Sequence, residues 1–176
     1  MRILKPIFLL LAILLQVNIS FAQKNKPGKK HADTLLVIDK KNGLMWMKHD
    51  FAYLEKRFLV NWDECFQWQQ KINAEKYGGY DNWYVPNIAE YRTINHSKAG
   101  RELYRQNFVE LDTVCVWGHG AYSFWARNER TPDVASYISF IDGFATSGNK
   151  NKQVASGDWE GIPFGFSVRL VRKISK

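Results

Sequence analysis

The cysteines are the first residues to ask for chemistry. Cys65 and Cys115 are the only two in the chain. In an exported protein an even pair reads as a disulfide, which would stabilise the fold by roughly 4 kcal/mol in the chain-entropy picture. The alternative is two separate buried thiols. His31, His49, His96 and His119 show no metal-ligand spacing, so zinc is not expected. No Ser-His-Asp series, phosphate-cradling glycine loop or paired-acid motif stands out. Asp63-Glu64 reads as the acidic start of a helix, favoured by its dipole. No catalytic residue, metal or cofactor is therefore expected.

What remains is aromatic and charged. Trp117 precedes Gly118-His119-Gly120-Ala121-Tyr122, a turn too rich in glycine for a core strand. Trp159 sits in the loop-like Gly157-Asp158-Trp159-Glu160-Gly161. Rings on loops can stack on the C–H faces of sugars, and each can equally pack beneath its own loop. Arg127-Asn128-Glu129-Arg130 and the later Lys150 and Lys152 offer charge to acidic or sulfated glycans, or form ordinary solvated loops.

Residues 1–22 read as a secretory signal. Arg2 and Lys5 make the positive start, Ile7 to Leu15 the apolar core, and Ser20-Phe21-Ala22 a small-x-small cleavage site. The apolar run is too short for a comfortable membrane span, so no transmembrane anchor is expected. The net charge of +8 falls to +6 without Arg2 and Lys5. The leader 23–33 holds four lysines and one aspartate, half of that remainder, and has almost nothing to bury. It reads as a solvated spacer or a weak contact for anionic surfaces. Nucleic acid is not an expected partner for an exported chain.

Residues 34–176 are long enough for one domain with a core. Thr34 to Asp39 and Leu44 to Lys48 read as strands joined by the turn Lys41-Asn42-Gly43. Residues 49–60 read as an irregular connector. Asn61, with Glu64 three residues on, caps a helix over about 62–76, which Gly78-Gly79 stop. Its stripe is Trp62, Cys65, Phe66, Gln69 and Ile72, with Trp68 at the edge. Asn87 and Glu90 cap a second helix over roughly 88–95. Residues 98–109 are ambiguous, with a leaning to exposed helix. Strands follow at 113–117, 123–126, 135–141 and 166–171, with a polar, basic loop over 148–157. Hairpin, two helices, then short strands is an α+β order.

Six segments carry a family resemblance, in order: Gly43-Leu44-Met45-Trp46, Asn61-Trp62-Asp63-Glu64, Gly79 to Glu90, Phe124-Trp125, Tyr137 to Gly143, and Gly165-Phe166-Ser167-Val168-Arg169-Leu170-Val171-Arg172. They resemble the family named for the C-terminal domain of the Legionella collagen-like adhesin, and the related Fibrobacter succinogenes major paralogous domain. The resemblance implies a C-type-lectin-like fold, two helices packed on short antiparallel strands with long loops, distantly related to formylglycine-generating enzymes. It implies that Trp46, Trp62, Trp83 and Trp125 are core.

Three departures are visible. Tyr84 stands where the family has Arg after the tryptophan, and Gln69 and Leu170 stand where it often has cysteines. The copper-binding cysteine pair of the formylglycine enzymes has no counterpart, because the last strand has no cysteine. Val85-Pro86-Asn87 lacks the acid of a calcium-lectin triplet, and calcium needs several oxygen ligands.

The sequence thus predicts an exported, non-catalytic binding module, periplasmic or at the cell surface. Its ligand would be a glycan or surface polymer contacted through Trp117, His119, Tyr122, Arg127, Asn128, Lys150, Lys152 and Trp159. A protein-docking scaffold is the alternative, and an oxidase of the formylglycine-generating type comes third.

Overall fold

The opening hairpin forms where Asn42-Gly43 allows a tight reversal. The computed structural model describes residues 35–95, 100–101, 123–140, 143–152, 154–159 and 162–174, and of 154–159 and 162–164 the backbone alone. Strands β1 (Leu36–Asp39) and β2 (Leu44–Met47) pair with Val37 opposite Trp46. Gly43 supplies the positive φ of 65°, and Asp39 accepts both the backbone and side-chain N–H of Asn42 at 3.2 and 2.7 Å. The last strand, β8 (Val171–Lys173), pairs antiparallel with β2, so the two ends of the domain share one small sheet, β1-β2-β8.

The connector expected to be irregular contains a helix, α1 (Phe51–Glu55). Asp50 caps it by accepting the Tyr53 N–H at 2.9 Å, and Phe51 and Ala52 are buried. Helix α2 (Glu64–Ala74) follows its predicted start. Asn61 Oδ1 accepts the Glu64 N–H at 3.0 Å, while the Glu64 carboxylate reaches back one residue further, to the Val60 N–H at 2.8 Å. The buried stripe is Cys65, Trp68 and Ile72, with Phe66 and Gln69 half-buried. Trp68 is therefore core, and its indole N–H donates to Glu55 at 2.9 Å. Gly78 and Gly79, both at positive φ, end the segment in a 3-10 turn. Helix α3 (Ile88–Asn95) starts at the expected reciprocal cap, where Asn87 and Glu90 each accept the other's N–H at 2.8 Å.

The second half is a five-stranded sheet in the order β5-β4-β3-β7-β6. Its strands are β3 (Ser123–Thr131), β4 (Val134–Ser139), β5 (Ala145–Asn149), β6 (Val154–Trp159) and β7 (Ile162–Ser167). All pairs are antiparallel except β3 with β7. Three expectations change here. Arg127 to Arg130 continue β3 instead of leaving it, with register shifts on the way. Most of the supposed loop 148–157 belongs to β5 and β6. The supposed strand 166–171 divides between β7 and β8. An edge strand such as β5, solvated along most of its length, needs no apolar alternation, so its polar sequence hides it.

Successive β3 side chains serve opposite faces of this sheet. Trp125, with Ala135 and Phe166, joins a core that includes Trp68 and Ile72 of α2. Phe124 and Ala126, with Ile138, join Tyr91 and Ile94 of α3. Trp46, Trp62, Trp83 and Trp125 are all buried, as the resemblance implies. The architecture is α+β with three α-helices among the described residues.

Cys65 departs from the disulfide reading. It carries a free thiol, fully buried in the α2 core, and burial pushes its pKa up well above the usual thiol range. The separate-thiol alternative therefore holds for Cys65, while Cys115 lies outside the described residues. So do the signal (1–22), the leader (23–33), the strand at 113–117 and nearly all of 98–109.

Candidate functional site

The sheet face that carries Phe124 and Ala126 continues along β3 to Asn128 and Arg130. Helix α3 covers the first part of this face with Tyr91 and Ile94. Beyond the helix start the neighbouring strands carry small residues, Ser136 on β4 and Ala145 on β5, and the face opens. The result is a cleft of about 350 Å³ lined by Ile88, Arg92, Asn128, Glu129, Arg130, Ser136, Ala145 and Thr146. That volume is at the lower end of the roughly 300–1,000 Å³ of ligand clefts.

Its polar groups are unevenly engaged. Glu129, the one acid in the lining, accepts Lys150 Nζ at 2.7 Å. Arg130 Nε lies 3.4 Å from Ser136 Oγ, and neither Arg130 nor Arg92 makes an ion pair among the described residues. Arg92 is exposed on α3. The cleft therefore presents two guanidinium groups, ten N–H donors in planar forks suited to oxyanions, with amide and hydroxyl groups between them.

The predicted site residues divide sharply. Asn128 lines the cleft, and its Oδ1 also accepts the Ile88 N–H at 2.8 Å, so it fixes the start of α3. Arg127 lies next to the cleft residues on β3, with its guanidinium 5.0 Å from the Tyr84 ring and 3.7 Å from Glu90. Tyr84 donates its hydroxyl to Glu90 at 2.8 Å, and burial and that carboxylate push its pKa upward.

Lys150 is a strut. Its ammonium bonds Glu129 and the Pro132 carbonyl, both at 2.7 Å, and sits 4.4 Å from the Trp62 ring with the side chain 12% exposed. Lys152 is exposed in the turn after β5. The backbone of Trp159 pairs with Ile162, and its side chain lies outside the described residues, as do Trp117, His119 and Tyr122 altogether.

Sequence reading missed Arg92, Ser136 and Thr146. Arg92 follows Ile88 by four residues and so shares its helix face, but nothing in the sequence shows which strands that face meets.

Asn128→Ala is expected to lower stability by about 1 kcal/mol, the usual cost of a lost N-terminal helix contact. Chemical denaturation measures it. No loss, together with unchanged amide exchange at Ile88, would separate Asn128 from the helix start.

The geometry meets a sequence comparison here. Residues 35–156 match the family described as the Lcl C-terminal domain, and the chain belongs to that family. The match includes five of the six motif segments and ends before Gly165 to Arg172. No curated protein matches the chain.

Proposed function

We propose that this member of the Lcl C-terminal domain family is an exported, adhesin-like and non-catalytic binding module with a C-type-lectin-like fold. Its ligand is a glycan or cell-surface polymer, held in the cleft between α3 and β3–β5. It works in the periplasm or at the cell surface, with residues 1–22 as export signal and 23–33 as a basic spacer. The carrying observation is the cleft itself: two arginines without acidic partners among the described residues, hydrogen-bonding side chains between them, and an open shape that suits a stretch of polymer. The non-catalytic reading draws support from Cys65, whose fully buried thiol has its pKa raised, the opposite of a reactive thiolate.

Binding follows from simple parts. The guanidinium forks engage oxyanions or ring hydroxyls, while Asn128, Ser136 and Thr146 supply direction. Arg127, stacked near Tyr84, extends the cationic surface beyond the cleft.

The test is a glycan array on the purified chain, read at low and physiological salt, beside the double variant Arg92→Ala/Arg130→Ala. Salt-resistant binding that weakens roughly 100-fold in the variant is expected, from two charge-assisted contacts. Binding that ignores both arginines removes the site. Salt-sensitive binding that the double variant retains points to the lysine leader, and a blank array removes the glycan ligand.

A further inference from the structure

Among the described residues, strand β5 is an open sheet edge of an unusual kind. It pairs with β4 on one side over five consecutive residues, Val134↔Asn149 to Ile138↔Ala145, without a register break. On its other side no described strand follows; the Asn149 carbonyl there accepts the Lys152 N–H at 3.0 Å, and no other backbone bond from 145–149 reaches a described residue on that side. Proteins ordinarily blunt such edges with charge, proline, a bulge or extreme shortness. The other open edges fit that rule: β1 has four residues and ends in Asp39, and β6 contains Asp158 and a register shift. Ala145-Thr146-Ser147-Gly148-Asn149 has neither charge nor proline, and its pairing is regular.

The chemistry beside this edge is positive. Ala145 and Thr146 of β5 form one margin of the cleft that holds Arg92 and Arg130, and Glu129, the one acid among its described lining residues, is neutralised by Lys150 at 2.7 Å. Phe144, immediately before β5, is 73% exposed. A second copy of the chain on this edge would bring two more guanidinium groups to the same margin. An acidic strand would instead meet complementary charge.

We propose that β5 receives an extended, acidic peptide segment of a partner protein as an added strand, its backbone pairing with β5 and its carboxylates meeting Arg92 and Arg130. Main-chain bonds then supply affinity, and the alternate side chains that face the cleft supply selectivity. This goes beyond the polymer reading and does not need it.

Fluorescein-labelled short peptides alternating valine with glutamate, and counterparts with lysine, are titrated against the purified chain by anisotropy, with amide exchange followed at 145–149. The glutamate peptide is expected to bind saturably, to slow exchange at 145–149, and to weaken roughly tenfold with Arg92→Ala. The lysine peptide is expected not to bind. Thr146→Pro and Ser147→Pro complete the test. Successive strand N–H groups point to opposite edges, so one of the two prolines spares the β4 ladder. The proline that keeps the wild-type melting temperature should abolish binding.

Absence of saturable glutamate-peptide binding, equal binding of the lysine peptide, or protection away from β5 overturns the proposal. So does a concentration-dependent dimer with β5 protected before any peptide is added, since a second copy then fills the edge. A blank glycan array with peptide binding intact removes the polymer reading alone. The reverse pattern removes this one alone.

Discussion

Arg169→Ala is expected to destabilise the protein by about 3–5 kcal/mol, the cost of breaking a buried charge arrangement from one side. Arg169 is fully buried, and its Nη1 donates to the carbonyls of Met47, at 2.8 Å, and Lys48. It joins the segment between β7 and β8 to the end of β2. Asp50, equally buried, caps α1, and burial raises its carboxyl pKa while Arg169 pulls it back down.

Removing the guanidinium leaves two carbonyls short of a donor and an acid without its nearby cation. The pH dependence has a definite sign. A carboxyl whose pKa is raised by folding favours the native state below its unfolded pKa, and that contribution is lost as pH rises through the folded value. Without Arg169 the folded pKa rises further, so the loss continues to higher pH. The gap between wild type and Arg169→Ala should therefore widen as pH rises and narrow in acid.

Asp50→Asn keeps a side-chain acceptor for the Tyr53 N–H and removes the charge. In the Arg169→Met background it should recover roughly 1–3 kcal/mol, within the range of contacting pairs. Urea denaturation at several pH values decides the matter. A gap independent of pH, or an Asp50→Asn change that only adds its own loss, would dissolve the coupling.

Such a centre is invisible in the sequence, and the reason is physical. Arg169 sits at sequence separations of 122 and 121 from the carbonyls it serves, and an arginine in a strand pattern reads as a solvated residue. Local chemistry was legible. The Asn87–Glu90 cap, the Asn61 cap and the Gly43 turn each depend on residues within four positions, and each forms as the spacing predicts. Helix α2 stops earlier than its glycines, at Ala74, and Lys76 at φ 51° is the first left-handed residue after it. Motif-placed tryptophans were legible too.

What failed was anything decided by a distant partner. Lys150 looked like a free charge, but Trp62 before α2 and Glu129 and Pro132 at the end of β3 meet it from two other segments. Trp68 looked marginal on its helix until Phe51 of α1 packed edge-on at 5.5 Å. The cleft was half legible: Asn128, Glu129 and Arg130 lie in a stretch singled out for its polarity, whereas Arg92 joins them only because α3 crosses the β3–β4 face.

Trp125→Ala should cost about 3–5 kcal/mol, as for other fully buried aromatics. The ring is stacked on Phe166 at 4.2 Å and meets Tyr137 edge-on at 5.4 Å, so one deletion opens the core between α2 and three strands of the sheet. A finer comparison separates packing from hydrogen bonding. The buried Trp125 indole N–H has no acceptor among the described residues, whereas Trp83, buried as deeply, donates its own to the Tyr77 carbonyl at 3.0 Å.

Phenylalanine removes about the same volume at either place. At position 125 it also removes an unsatisfied donor, which offsets part of the lost packing. At position 83 it removes one of the two N–H groups that the Tyr77 carbonyl accepts, leaving the Tyr80 N–H at 3.2 Å. Trp83→Phe should therefore exceed Trp125→Phe by roughly 1 kcal/mol, the net worth of one hydrogen bond. Paired denaturation curves measure this directly. Equal losses would mean that both indoles act as volume alone, and a larger loss at 125 would mean that its N–H has a partner within the folded core.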